Sequence, residues 1–335
     1  MRRKRYLYDL IIIVLFVATI LFVQFYIPRS AISLSDKIDQ TTAGDFDSQR
    51  LALSDEYEKY LEKFLPAVDQ TPSIGHHFIG NQRKLLDFRI KKAIAEIETT
   101  NLGKGEIRIW SMLNMGAVIK TSDKIIAIDT ANIPYLSNAH NELSEIVDLF
   151  LVTHDDADHF DKKLLNQALK NNKKVVFLED FYFDTDESRL VNILKLKSGV
   201  KTNVDGLLIT AFQTDHRGDG NFKEPNAWFL IEIDNFTILH TGDGLAFQNP
   251  NEIQKLRDRQ DIDLMLANLM LSQENIKEIS PKVHLPLHLF KYLHSREQLS
   301  ESTFRAAISK YGKEKYSASE MKVLFAGESF IYSKK

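Results

Sequence analysis

The sequence predicts an α/β domain with two sheets and helices packed outside them, standing behind one N-terminal membrane-spanning helix. Three observations carry this expectation. First, Arg2, Arg3, Lys4 and Arg5 precede a nearly unbroken apolar run from Leu10 to Val23 that continues through Phe25 and Tyr26 to Ile27. That run is about 18 residues, enough to cross a hydrocarbon core as a helix. Second, from Gly105 short apolar segments follow one another with turns between them. Third, further along, such segments alternate with helical stretches, which places helices on the outer faces of sheets.

Taken in order, the four N-terminal cations should remain on the cytoplasmic side, leaving the rest of the chain outside. A cleaved signal peptide is the rival reading. Its apolar region is normally shorter and ends in small residues, whereas this run ends in Phe25, Tyr26, Ile27 and Pro28. Residues 29 to about 50 are polar and read as a linker off the membrane. Leu51 to Leu65 and Gln82 to Glu98 carry apolar residues at helical spacing. His76 and His77 lie between these two helices in a Gly-flanked loop, where exposed histidines are the plain reading.

Strands are expected at Ile107–Met112, Ala117–Lys120, Lys124–Ile128, Val147–Val152, Lys174–Leu178, Leu207–Phe212, Trp228–Ile233 and Phe236–Leu239. Three more are expected at Asp263–Ala267, Val283–Leu287 and Lys322–Ala326. Helices are expected near 161–170, 187–195, 250–259 and 297–311. The resulting division is a basic tail and anchor over 1–28, a linker and helical extension over 29–104, and the two-sheet domain over 105–335.

Composition limits the chemistry. The chain of 335 residues has no cysteine, so it holds no disulfide framework, no thiolate metal site and no cysteine nucleophile. Any metal must be held by nitrogen and oxygen. A net charge of −3 and the lack of a dense Lys/Arg patch argue against a dedicated nucleic-acid surface.

The chemistry-bearing stretch is Leu151-Val-Thr-His-Asp-Asp-Ala-Asp-His-Phe160, in which His154, Asp156, Asp158 and His159 fall within six residues at the end of an apolar run. A solvated turn and helix start accounts for the aspartates but not for the flanking histidines. Three more sites repeat the pattern of a potential ligand after an apolar strand: His216, then His240 and Asp243 flanked by Gly242 and Gly244, then His288 at the end of Val283-His-Leu-Pro-Leu-His288. A single histidine after a strand is usually structural. Four such sites in one chain argue for one pocket.

This order of motifs resembles the metallo-β-lactamase superfamily over about residues 105 to 330. Lys124-Ile-Ile-Ala-Ile-Asp129, after Asn114-Met-Gly116, is similar to that superfamily's first motif, in which an Asp supports the metal loop from behind. The resemblance implies a four-layer αβ/βα sandwich with a metal site along one edge of the sheets. It implies two divalent cations, Zn²⁺ in the first instance with Mn²⁺ or Fe²⁺ as alternatives. His154, Asp156 and His216 would hold the first, Asp158, His159 and His288 the second, and Asp243 would bridge them. Such cations share a hydroxide and lower its pKa. Asp158 would orient that hydroxide, and His240 would act as a proton donor or supporting group, although strand alternation can equally turn His240 into the core. His284, farther from the loop edge, reads as structural.

The Leu-Pro-Leu-His288 string is most similar to the branch containing the ascorbate-phosphate lactonase and the phospholipase D-like N-acyl phosphatidylethanolamine hydrolases. At Asp156 the superfamily usually has His, and the Asp form resembles the hydrolase domain of ComEC-type DNA-uptake proteins. The expectation is a single-pass membrane protein with a cytoplasmic N-terminus, held in the bilayer through residues 6–27. Its extracytoplasmic domain would hydrolyse a phosphodiester, including a phospholipid, or a lactone or other ester. The other class is a non-catalytic binding or sensing module on the same fold. The two are discriminated by the seven ligand positions, all of which hold ligand-competent residues.

Overall fold

The computed structural model describes residues 29–41, 48–62, 81–131, 139–216, 226–259, 261–289 and 319–334. The anchor expected over 1–28, the His76–His77 loop and the helix expected near 297–311 lie outside the described residues. Among the described residues no helix is long and apolar enough to cross a membrane.

Among the described residues three helices come first: α1 (Arg29–Asp39), α2 (Ser48–Glu62) and α3 (Asn81–Thr99). The first of these corrects the linker reading. Ala31, Leu34 and Ile38 recur at helical spacing and are buried, so a segment that is polar on average still has one apolar stripe to dock.

The first sheet contains β1 (Glu106–Ser111), β2 (Ala117–Lys120), β3 (Ile125–Ile128), β4 (Leu149–Leu151), β5 (Lys174–Leu178) and β6 (Ile193–Leu196). The second contains β7 (Lys201–Val204), β8 (Leu207–Asp215), β9 (Asn226–Ile233), β10 (Phe236–His240), β11 (Ala246–Phe247), β12 (Leu264–Asn268), β13 (Val283–Leu287) and β14 (Glu320–Met321). The chain then returns to the first sheet as β15 (Ser329–Ser333), antiparallel to β1. The sheet orders are β15-β1-β2-β3-β4-β5-β6 and β11-β8-β9-β10-β12-β13-β14, with β7 beside β8. Each sheet has an antiparallel half and a parallel half: β3 to β6 run parallel in one, β10 to β14 in the other.

Side-chain alternation builds the layers. Ile109, Ile119, Ile126 and Leu151 of the first sheet and Ile209, Phe229, Ile238 and Leu285 of the second share one buried cluster between the sheets. Trp110, Val118, Phe150, Val175, Trp228 and Met265 face the other way, into a cluster shared with helical residues such as Leu85, Leu164, Leu256 and Ile276. Those residues come from α3, α5 (Lys162–Lys170), α6 (Pro250–Arg257) and α7 (Gln273–Ile279), while the short α4 (Leu143–Ile146) precedes β4. The architecture is the mixed α/β, two-sheet metallo-β-lactamase-like fold.

Two local expectations fail. Residues 187–195 form a 3₁₀ turn, Glu187–Asn192, and then β6. Val191 and Ile193 are β-branched and poor helix formers, and Ile193 and Leu196 pair with β5. The strand expected over Lys322–Ala326 is replaced by the pieces β14 and β15, separated by a turn at Gly327 with φ +73°. A Cβ at Gly327 would meet the Arg89 carbonyl oxygen at 2.6 Å, so α3 sits against this turn.

Candidate metal centre

Strand β4 of the first sheet and strands β8, β10, β12 and β13 of the second, which run in one direction within their sheet, end at a common edge, and their following loops carry the potential ligands. The loop after β4 is organised by Asp129, just past β3. Its Oδ1 accepts from the Thr153 backbone N–H at 2.9 Å, and its Oδ2 accepts from the Thr153 hydroxyl at 2.7 Å. The same Oδ2 accepts from His159 Nδ1 at 3.0 Å. With the Thr153 proton donated to Asp129, the Thr153 oxygen accepts from His154 Nδ1 at 3.0 Å. One buried carboxylate thus sets the tautomer of both rings, leaving Nε2 of each as a lone pair facing the site.

The second anchor is Asn268 at the end of β12. Its side-chain N–H donates to Asp243 Oδ1 at 2.7 Å, and its oxygen accepts from the Met270 backbone N–H at 2.7 Å. Asp243 Oδ2 is thereby turned to the centre. It lies 3.3 Å from His159 Nε2, 3.4 Å from His216 Nε2 and 3.3 Å from His288 Nε2. Two outer carboxylates complete the ring: Asp156 Oδ2 is 3.4 Å from His154 Nε2 and 3.6 Å from His216 Nε2, and Asp158 Oδ2 is 3.6 Å from His159 Nε2.

Glycines allow this crowding. Gly242 has φ +49°, and a Cβ there would meet Thr153 at 2.8 Å; one at Gly244 would lie 2.1 Å from Thr214 Oγ1. Three non-glycine residues at the site also adopt left-handed backbone: Asn114 (φ +53°), Asp129 (φ +48°) and His288 (φ +64°). Such conformations concentrate at functional sites, where the surrounding structure enforces them.

The residues present fit a pair of cations on two counts. Ligand atoms about 2.0–2.1 Å from a tetrahedral ion lie about 3.3–3.4 Å from each other, close to the separations found here. His154 Nε2 is buried and has no hydrogen-bond partner, as expected of a ligand rather than a structural histidine. Among the described residues, the groups able to hold an ion are His154/Asp156/His216, Asp158/His159/His288 and His154/His159/Asp243. All seven positions singled out in the sequence therefore meet in one place, and Asp243 stands between the first two groups.

The imidazoles and carboxylates of the site shift one another strongly. Burial pushes the Asp243 carboxyl up, but His288 and His159 overcome this and hold it well below the usual carboxylate range. His159 is conversely raised against its own burial by Asp243 and Asp129, and His216 is raised chiefly by Asp243. Beside the His154 imidazole, with His216 also near, Asp156 is lowered to about 2. These opposed shifts come from imidazoles and carboxylates packed against one another, and a divalent cation bound there would compete with protons for the same nitrogens.

His240 is placed differently from a proton donor to the pocket. Fully buried, it approaches the Met115 carbonyl oxygen through Nε2 at 2.9 Å and accepts from the Gly242 N–H at Nδ1 at 3.2 Å. It ties two loops together and stays neutral, its pKa lowered by burial. His284 is fully buried within β13. Thr153 and Asn268 were missed by the sequence reading. The only signal for Asn268 is a polar residue closing an apolar strand, the same signal that marks His216 and His288.

The family model described as a beta-lactamase superfamily domain matches residues 116–288, a span that runs from Gly116 to His288 and contains all seven clustered positions. A UPF0173 metal-dependent hydrolase of Pyrococcus abyssi is 25% identical over 150 residues, covering 42% of this chain and 66% of that protein. A second UPF0173 protein of the same organism is 25% identical over 181 residues, covering 52% of this chain and 80% of that one. Among solved structures, the metallo hydrolase Igni18 from Ignicoccus hospitalis superposes with a TM-score of 0.52 at 17% identity, covering 69% of this chain and all (100%) of that one. CmlA, a diiron β-hydroxylase from Streptomyces venezuelae, gives a TM-score of 0.50 at 11% identity, covering 69% of this chain and 55% of that one. At such identities these two likenesses concern the fold. The family match spans more than half of the chain, over the strands and loops that build the site, and the chain belongs to the beta-lactamase superfamily domain family.

Proposed function

We propose that this protein is a binuclear metal-dependent hydrolase. It is anchored in a membrane through residues 6–27, with its catalytic domain outside the cytoplasm, and it acts on a phosphodiester, including a phospholipid, or on a lactone or other ester. The observation that carries the reading is Asp243 Oδ2, one carboxylate oxygen shared at 3.3–3.4 Å by imidazoles from both ligand groups. A metal-dependent hydrolase among the relatives supports it. The motif order favours the lactonase and phospholipase D-like branch, with the ComEC-like Asp at 156.

Two divalent cations would supply an activated water and polarisation of the bond under attack. His154, Asp156 and His216 would hold one and Asp158, His159 and His288 the other, with Asp243 between. The chain does the rest. Asp129 and Thr153 keep the His154 and His159 rings in the tautomer that presents Nε2. Asn268 fixes Asp243 by one oxygen so that the other faces the centre. Asp158, less buried than Asp243, would orient the attacking water. His240 holds the Met115 and Gly242 backbones in register.

The test is metal analysis of the full chain in detergent, followed by a panel of phosphodiesters, phospholipids and lactones with Zn²⁺ or Mn²⁺. We expect about two cations per chain and hydrolysis that is lost in Asp158→Asn and His159→Gln. Finding no bound metal and no activity dependent on these residues sinks the proposal. The absence of cysteine allows a topology test: Tyr182→Cys, at a highly exposed position, should react with a membrane-impermeant thiol reagent added from outside intact cells.

A further inference from the structure

Asn114 is a buried polar side chain at this edge that, unlike Thr153 and Asn268, bonds directly to a residue of the second ligand group although it is not itself in that group. It is 4% exposed. Its Nδ2 donates to Asp158 Oδ2 and lies 3.3 Å from His159 Nε2, so it touches two of the three residues that define the second cation position. The spacing to His159 matches that of Asp243 from the same ring. Its other terminal atom, Oδ1, is buried and has no hydrogen-bond partner, although buried amide oxygens are nearly always satisfied.

The backbone around Asn114 is fixed from three sides. The Gly116 N–H donates to the Leu113 carbonyl at 2.7 Å, the His288 N–H donates to the Asn114 carbonyl at 3.2 Å, and His240 holds the Met115 carbonyl at 2.9 Å. Asn114 itself sits at φ +53°, a conformation that Asn tolerates better than most residues. The side chain is therefore presented to the site by a rigid loop, and rotation about χ2 can turn its amide in place. That torsion is broad and roughly two-fold, and a half-turn exchanges oxygen for nitrogen.

An amide N–H can face Asp158 only while no cation lies between them. A cation repels the N–H donor and attracts the carbonyl end of the same dipole. We propose that Asn114 is an eighth ligand, turning Oδ1 onto the second cation when that position fills and donating to Asp158 when it is empty. This rests on the binuclear reading above and adds to it. The second position then carries three oxygen donors (Asp158, Asp243, Asn114) and two imidazoles (His159, His288). The first has two oxygens (Asp156, Asp243) and two imidazoles (His154, His216). Extra oxygen donors and higher coordination number favour Mn²⁺ or Fe²⁺ over Zn²⁺, so the two positions should differ in metal preference.

The test is calorimetric titration of the metal-stripped full chain in detergent with Zn²⁺ and Mn²⁺, alongside visible absorption of the Co²⁺ form. Asn114→Gly keeps the left-handed backbone and removes the amide. We expect it to leave the first equivalent unchanged and weaken the second about 10–100-fold, as loss of a supporting group at a metal site does, more for Mn²⁺ than for Zn²⁺. Its Co²⁺ bands should intensify as coordination number falls. Asn114→Asp preserves volume and restores an oxygen, and should hold the second equivalent at least as tightly as the parent chain. If Asn114→Gly binds both equivalents like the parent with an unchanged Co²⁺ spectrum, Asn114 is not a ligand. If Asn114→Asp is as weak as Asn114→Gly, the amide acts only as a donor to Asp158, which also overturns the proposal. Failure of the parent chain to bind two cations would instead remove the binuclear reading, and this inference with it.

Discussion

Asp129 has two carboxylate oxygens and three donors, and this ratio explains its place behind the site. Thr153 N–H, Thr153 Oγ1–H and His159 Nδ1–H all converge on it within 3.0 Å. Replacing it with Asn substitutes a donor for one acceptor and frees the His159 and His154 rings to change tautomer. We expect Asp129→Asn to weaken metal binding about 10–100-fold while the fold persists; competition with a chelator reads this directly. Asp156 belongs to the same scale but is half-exposed beside His154 and His216. With Asp158 and Asp243 it makes three carboxylates, which offset most of the charge of two divalent cations. Asp156→His removes one negative charge and should increase affinity for an anionic phosphodiester. Unchanged affinity in a binding titration would show that Asp156 does not set the field felt by the substrate.

At the level of elements, the site depends on where strands stop. β8 and β11 are tied by the Leu245 N–H to the Asp215 carbonyl at 2.8 Å, which seats the His216 loop against the Asp243 loop. Gly244 lies in that contact, and its carbonyl accepts from Trp228 Nε1 at 3.0 Å. An Ala Cβ would lie 2.6 Å from that nitrogen and 2.1 Å from Thr214 Oγ1, and the Thr214 oxygen belongs to a β-branched side chain within β8 that has little room to retreat. Overpacking of this kind costs about 1–3 kcal/mol, so Gly244→Ala should lower the urea midpoint by a corresponding amount and weaken metal binding by moving Asp243. The elements that were hard to read from the sequence were the short and half-exposed ones. In β6 only Leu196 is buried, and β15 contains no fully buried residue. Neither shows the two-residue alternation that makes a strand visible before its partners are known.

Across the whole molecule, the N-terminal helices and the C-terminal turn form a single packed unit. Arg50 of α2 donates to Glu328 through both terminal nitrogens and to the Val323 carbonyl at 3.1 Å, and Arg89 of α3 donates to the Ala326 carbonyl at 2.7 Å. Arg50→Met leaves the Glu328 carboxylate buried without its charge partner. Breaking a buried pair in this way costs about 3–5 kcal/mol, and adding Glu328→Gln should recover part of the loss in denaturant melts. A second global effect is a pH dependence. Burial pulls His140 down from 6.5 to about 4, against the opposing influence of Asp161 and the Ala131 backbone. The folded state therefore prefers the neutral ring, its stabilisation is complete above pH 6.5, and it is lost as pH falls from 6.5 toward 4. The size is about 3 kcal/mol by linkage. His140→Gln should flatten stability over that window, measured by urea unfolding at several pH values on the metal-free protein.

The sequence by itself determined the alternation of buried strands and the residues able to hold a metal. Both are written in local pattern: apolar runs of strand length, each closed by His or Asp. It also placed Asp129 behind the metal loop through its resemblance to a known motif. Only the tertiary structure decided that α1 is a docked helix, because a short polar-average segment folds when an apolar stripe finds a surface to cover it. Only the structure turned His240 onto backbone carbonyl and amide groups, since one strand position fixes which way a side chain faces only after its neighbours are set. Thr153, Asn268 and Asn114 became visible for the same reason. Thr and Asn are common in turns and carry no metal signal of their own. Their importance comes from hydrogen bonds to Asp129, Asp243 and Asp158, partners 24 to 44 residues away in the chain, and only sheet register brings them within reach.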